Sequence, residues 1–241
     1  MNYWMRKRTP KPTARYQTDS LFSTSFCFTF IRNLTFFLIT ISPLSNSTYA
    51  QYQGYTAVTD MVNFKTQFTR GSANIMTIAC DFSQQKTLTA LTEKITSKGR
   101  FWFKRSNKVR MEYTKPFVYL IVINGDKMLL RDQQKENRIN VKTNKLFKQM
   151  NHIIIDCIQG NIMEIRDFNT HVFENGSTFK LELTPVSKTL LQVFQTIVLT
   201  IDKKDYSARS IEINEPMGDT TLISFENKKL NEAIPDAVFA P

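Results

Sequence analysis

From residue 51 onward, apolar and polar positions change places in short alternating stretches. Phe101, Phe103 and Arg105 alternate with Trp102 and Lys104, and Val109, Met111 and Tyr113 with Lys108, Arg110 and Glu112. Phe179, Leu181 and Leu183 alternate with Lys180 and Glu182, and Ile197, Leu199 and Ile201 with Val198 and Thr200. A period of two with charges on one side marks antiparallel strands with one wet face. Turn chemistry falls between them: Asn124-Gly125, Asn175-Gly176, Asp202 to Asp205, and Pro216 to Asp219. The pattern predicts about ten or eleven strands. The Asn175-Gly-Ser177 triplet reads more simply as a hairpin turn than as a glycosylation site.

One run does not alternate. Phe117-Val-Tyr-Leu-Ile-Val-Ile123 is apolar throughout, and such a strand needs cover on both faces. Two helical stretches are available to supply it. A short one starts with Asp60 as N-cap and carries Met61, Val62, Lys65 and Phe68 at helical spacing. A longer one runs from about Asn144 to Ile165, with Leu146, Phe147, Met150, Ile153, Ile154, Cys157, Ile158, Ile162 and Met163, and breaks near Gly160-Asn161. It is too apolar for a helix with one wet side. The expected fold is mainly β with an α lid: an open, incomplete antiparallel barrel covered by helices around an apolar cavity. No boundary or repeat divides residues 51–241.

Composition and charge sharpen this picture. The chain has 241 residues with 7 Gly, 8 Pro and 12% aromatics, which excludes collagen-like and disordered classes. A net charge of +11 would ordinarily raise nucleic acid or an anionic surface as a partner. Its distribution changes that. Arg6, Lys7, Arg8, Lys11, Arg15 and Arg32 face only Asp19 within the first 50 residues, leaving a surplus of six for the rest. The N-terminal segment is ordered like an export signal: a basic start, the apolar run Leu34–Ile41, Pro43, then Thr48-Tyr49-Ala50 with small residues for cleavage after Ala50. Arg32 and Asn33 split the apolar stretch, and neither half approaches the roughly 20 residues of a membrane span. The reading is therefore a cleaved signal over 1–50 and one domain over 51–241. Cys80 and Cys157 sit in apolar surroundings and read as buried thiols, their pairing left open.

Catalytic chemistry has few candidates. His152 and Cys157 would lie about 140° apart on a helix, and His171 stands alone in a strand. No H-E-x-x-H, C-x-x-C, G-x-S-x-G or glycine-rich phosphate loop occurs. No enzyme, cofactor or metal is expected. The basic-aromatic run Arg100 to Arg105 separates its aromatics from Lys104 by alternation, whereas nucleic-acid binding wants them on one face. Arg105 falls on the apolar side, where an unpaired charge is costly. It either reaches water at the strand end or turns into the concavity, to bond carbonyls of the covering helices or a ligand's polar group.

These residues resemble the LolA family of periplasmic lipoprotein carriers. The resemblance rests on Gly99-Arg-Phe-Trp-Phe-Lys-Arg-Ser-Asn-Lys-Val-Arg-Met-Glu-Tyr113, on Pro116, and on Ile123-Asn-Gly-Asp-Lys-Met-Leu129. Phe179-Lys-Leu-Glu-Leu-Thr-Pro185 and the tail Ile234-Pro-Asp-Ala-Val-Phe-Ala-Pro241 follow in order. The resemblance implies a monomer in the periplasm of a Gram-negative bacterium. Its partners would be acylated lipoproteins or lipid as cargo, an inner-membrane ATP-binding-cassette complex as donor and an outer-membrane acceptor. It implies Arg105 as the lid switch and an acyl-chain cavity that includes Val109, Met111 and Tyr113. Phe101, Phe103, Leu120 and Val122 are expected in the same cavity, under lid residues Met150, Ile153, Ile154, Cys157, Ile158 and Met163. Ser106 stands where the family has Pro after its Arg, and Val109 and Met111 where it has bulkier aromatics, so a carrier or sensor of another lipid is the alternative.

Overall fold

The computed structural model describes residues 52–90, 93–105, 107–140, 153, 155, 156 and 166–240. The signal segment and its cleavage point lie outside these residues, as do Met150, Ile154, Cys157, Ile158 and Met163. Twelve strands form one antiparallel sheet, against the ten or eleven expected. They are β1 (Thr56–Ala57), β2 (Thr77–Leu88), β3 (Glu93–Lys104), β4 (Lys108–Lys115), β5 (Tyr119–Asn124), β6 (Lys127–Arg131), β7 (Glu136–Asn140), β8 (Phe168–Glu174), β9 (Thr178–Pro185), β10 (Thr196–Asp202), β11 (Ala208–Asn214) and β12 (Thr220–Leu230). Helix α1 (Met61–Ala73) precedes β2, α2 (Lys188–Leu191) joins β9 to β10, and a 3-10 turn (Asp236–Phe239) ends the chain. The order β1-β8-β9-β10-β11-β12-β2-β3-β4-β5-β6-β7 leaves β1 and β7 as unjoined edges, so the barrel is open. Among the described residues no helix is long and apolar enough to cross a membrane.

Directly paired residues of antiparallel neighbours share a face, so the register maps the sheet's two sides. One row runs Ile78, Phe103, Val109, Ile123, Met128, Ile139 across β2 to β7. The next runs Cys80, Phe101, Met111, Ile121, Leu130. On the other half Val172, Leu181, Leu199, Ile211 and Ile223 align. Together they make an inner face with two apolar clusters, one on each half of the sheet. Register shifts in β10–β11, β12–β2 and β3–β4 are the bulges by which such a sheet bends.

Helix α1 covers the β8–β11 half. Asp60 caps it as expected, accepting the Asn63 amide at 2.9 Å. Phe64 and Phe68 are the buried stripe, while Val62, expected on that stripe, points to solvent. Ile153, from the predicted lid, is helical and buried in the same cluster as Phe64 and Phe68.

Strand β5 is covered on both sides, as its unbroken apolar run requires, and the outer cover is the C-terminal segment rather than a helix. Trp102, Arg110, Val122, Leu129 and Arg138 form one outer row, and Glu112, Leu120 and Arg131 the next. The tail lies against β4 and β5 with Phe239 fully buried. Lys104 donates to Ile234 O at 3.0 Å, Arg110 to Val238 O at 3.3 Å and Asn124 to Phe239 O at 3.2 Å. Asp236 is gripped by Lys104 at 2.7 Å and Lys108 at 2.9 Å.

Those two ammoniums, Lys104 first, hold the Asp236 carboxyl at about 2, below its ordinary 3.8. A depressed carboxylate contributes stability above its ordinary value and loses it as pH falls through that value toward the folded one. The tail is therefore expected to loosen as pH drops from 3.8 to about 2. A carboxyl NMR titration checks this: Lys104→Ala with Lys108→Ala should return Asp236 toward 3.8, and an unmoved titration would refute the clamp.

Candidate functional site

The site is the inner face over β2 to β6, with the turn that follows β3. Phe101, Phe103, Val109, Met111 and Tyr113 come together there as the sequence predicts, with Phe101, Phe103 and Val109 buried and Met111 and Tyr113 partly open. Leu120 and Val122 do not join them. They form a separate cluster with Leu129 on the outer face, and β5 presents Ile121 and Ile123 inward instead. The correction follows from register: Val109 pairs with Ile123 and Met111 with Ile121, which fixes the parity that an all-apolar run conceals.

Gly99 is set by close packing in this sheet. A Cβ there would lie 2.1 Å from Glu112 O and 2.7 Å from the Phe82 ring. Phe82 in turn meets Tyr113 edge-on at 5.0 Å between centroids. The Tyr113 hydroxyl donates to Gln84 Oε1 at 2.9 Å, and burial, more than neighbouring Tyr119, pushes the phenol up to about 12. It stays neutral and hydrogen-bonded where the face opens toward the β4–β5 turn.

Arg105 turns inward. Its Nη2 donates to Ser72 O at 2.8 Å, its Nε to Ile75 O at 3.1 Å, and its backbone N–H to Met76 O at 2.8 Å. Ser72 lies in the last turn of α1, where carbonyls lack helical partners and the dipole is negative. Of the alternatives open on sequence, it binds backbone carbonyls, one in a covering helix and one just past its end. That helix is α1; Ser106 lies outside the described residues. Asn231 holds the same segment from the other side, accepting from Met76 N at 2.8 Å and donating to Asn74 O at 3.0 Å.

Sequence reasoning missed Lys228. A bulge between Glu226 and Lys229, with Asn227 at a left-handed φ of 52°, turns Lys228 onto the apolar face. Its ammonium donates to Ser207 Oγ and, at 3.3 Å, to Ala208 O. It lines a recess with Ile78, Cys80, Phe101, Ala208 and Phe225 whose free space is about 20 Å³, room for one water. Burial raises the Cys80 thiol to about 12 against the opposing pull of Lys228. Cys80 is a free, protonated thiol, a poor nucleophile. No periodicity marks Lys228, because the bulge that redirects it also reverses the alternation.

Residues 73–241 match the family model described as outer membrane lipoprotein carrier protein LolA. An outer-membrane lipoprotein carrier protein of Leptothrix cholodnii is 27% identical over 192 residues, covering 79% of this chain and 82% of that protein. Among solved structures, a LolA superfamily protein of Nitrosomonas europaea aligns with a TM-score of 0.40 at 9% identity, over 73% of this chain and 97% of that one. An uncharacterized conserved protein from Thermus thermophilus aligns with a TM-score of 0.45 at 10% identity, over 74% and 91%.

Proposed function

The chain belongs to the LolA family of outer membrane lipoprotein carrier proteins, and from that premise we propose that it is a periplasmic carrier of acylated lipoproteins. It takes them from an inner-membrane ATP-binding-cassette complex and releases them toward an outer-membrane acceptor, holding their acyl chains against the inner face. The observation that carries this reading is an inner face of two apolar clusters whose covering helix is held at its end by Arg105, with Asn231 beside it.

The energetics fit a carrier. Each methylene of an acyl chain costs roughly 0.8 kcal/mol in water, so shelter must be extensive. Release demands that shelter be given up, so open and closed states must be close in energy. In the closed state the two apolar clusters are packed and the recess between Cys80 and Phe225 is water-sized. Loading parts α1 from the sheet, and Arg105 returning to Ser72 O and Ile75 O favours closing and expulsion.

Protein isolated from the periplasm of its own cells should bring acylated lipoprotein, identified by mass spectrometry of the bound fraction. A lipid-free protein unable to remove lipoproteins from spheroplasts would reject the reading. Met111→Glu and Ile121→Glu should each lower loading by about tenfold or more, because a carboxylate forced into an apolar site costs a few kcal/mol. Unchanged lipoprotein capture by both variants would exclude the inner face as the acyl site.

A further inference from the structure

The end of the sheet opposite Arg105 carries an exposed apolar turn. Strand β4 stops at Lys115, and Phe117 and Val118 then stand 75% and 54% exposed before β5 begins at Tyr119. Singly exposed apolar residues are common, so exposure alone decides little. The surroundings do more. Lys98 pairs directly with Lys115 across β3 and β4, and both are exposed. Like charges directly opposite each other are destabilising, and neither makes an ion pair among the described residues. Lys94 adds a third exposed ammonium where β3 runs on past the end of β4. Behind the turn the inner face starts at once, with Tyr113 opposite Tyr119 and then Met111 opposite Ile121.

An apolar tip rimmed by exposed ammoniums matches the chemistry of an anionic bilayer surface. The side chains enter the headgroup region, and the lysines meet lipid phosphates. An acyl chain sliding off Met111 and Ile121 past the two tyrosines would leave the protein at this end. We propose that the Phe117–Val118 turn, with Lys94, Lys98 and Lys115, docks the carrier directly on anionic lipid at the point where acyl chains enter or leave. The inference rests on the carrier reading for its purpose, but its test does not.

The chain purified from the cell envelope is floated with vesicles of phosphatidylglycerol and phosphatidylethanolamine, or of phosphatidylcholine alone. It should co-float with the anionic vesicles and far less with the neutral ones. Phe117→Asp with Val118→Asp should reduce co-flotation about tenfold or more, and Lys98→Glu with Lys115→Glu should do the same while weakening its salt dependence. Circular dichroism of each variant should match the parent, and single Phe117→Ser replaces any pair that misfolds. A parent that stays off anionic vesicles, or binding unaltered in the Phe117 variants, overturns the proposal, including the case in which the turn docks a protein partner. Lipoprotein capture is scored in parallel: its loss from the parent rejects the carrier reading, whereas vesicle binding alone decides the docking site.

Discussion

Replacing Arg105 with Leu should leave lipoprotein loading intact and slow release by tenfold or more. The guanidinium makes two charge-assisted hydrogen bonds, at 2.8 Å to Ser72 O in the last turn of α1 and at 3.1 Å to Ile75 O just beyond it. Such bonds contribute about 1.5–3 kcal/mol each in favourable settings. Arg105 is half-buried, so water recovers part of this, and about 2 kcal/mol for the pair is a fair figure. Loss of about 2 kcal/mol from the closed state alone shifts the balance roughly thirtyfold toward the open, loaded one. The lipid-free chain should lose a similar amount of stability in urea. Asn231 would still hold Asn74 and Met76, so α1 should loosen rather than detach. Arg105→Lys should fall between, because an ammonium cannot reproduce the fork that reaches two carbonyls. The measurement is the time course of labelled lipoprotein moving from the loaded carrier to outer-membrane vesicles. An unchanged rate would remove Arg105 from the switch.

How far the sequence revealed this site varied with the kind of signal. Alternation through Phe101, Phe103, Val109, Met111 and Tyr113 assigned these residues to one face, and the register confirms it. The run from Phe117 to Ile123 required two covered faces but concealed which residues faced which side, because parity is invisible where every position is apolar. Leu120 and Val122 were consequently placed on the wrong face. The outer cover was missed for a related reason: Ile234–Phe239 is short, opens with a proline at its second residue and carries no strand or helix period. Helix α1 was legible at its start through Asp60, but Val62 and Phe64 compete as apolar neighbours, and only packing shows that Phe64 faces inward. Arg105 was legible as an anomaly, a charge at an apolar position. Lys228 was not, since it reaches the inner face only through the bulge.

Gly71 offers an independent test of whether α1 must lie close on the sheet. It sits in the last turns of that helix, where replacing glycine by alanine ordinarily stabilises by about 1 kcal/mol. Here the added Cβ would fall 2.2 Å from Tyr206 Cδ2 and 2.4 Å from its Cγ. Cγ is the root of the ring, so a small swing of the side chain does not clear it. Tyr206 also packs against Phe68 and Phe179, each at 6.4 Å between centroids, and holds a left-handed φ of 59°. Overpacking should therefore outweigh helix propensity, and Gly71→Ala should destabilise by about 2 kcal/mol. Tyr206→Ala alone should destabilise through lost aromatic contact. The double variant should be more stable than the sum of the two effects by about 1 kcal/mol or more, because removing the ring removes the clash. Additive losses in urea unfolding would mean that Gly71 is not placed by Tyr206. The functional consequence separates the closing mechanism from Arg105 chemistry. Gly71→Ala lifts the helix through Tyr206 without touching the guanidinium or the Met111 and Ile121 row, yet it should slow release as Arg105→Leu does. Normal release from a carrier so destabilised would mean that the seating of α1 is not what drives acyl chains out.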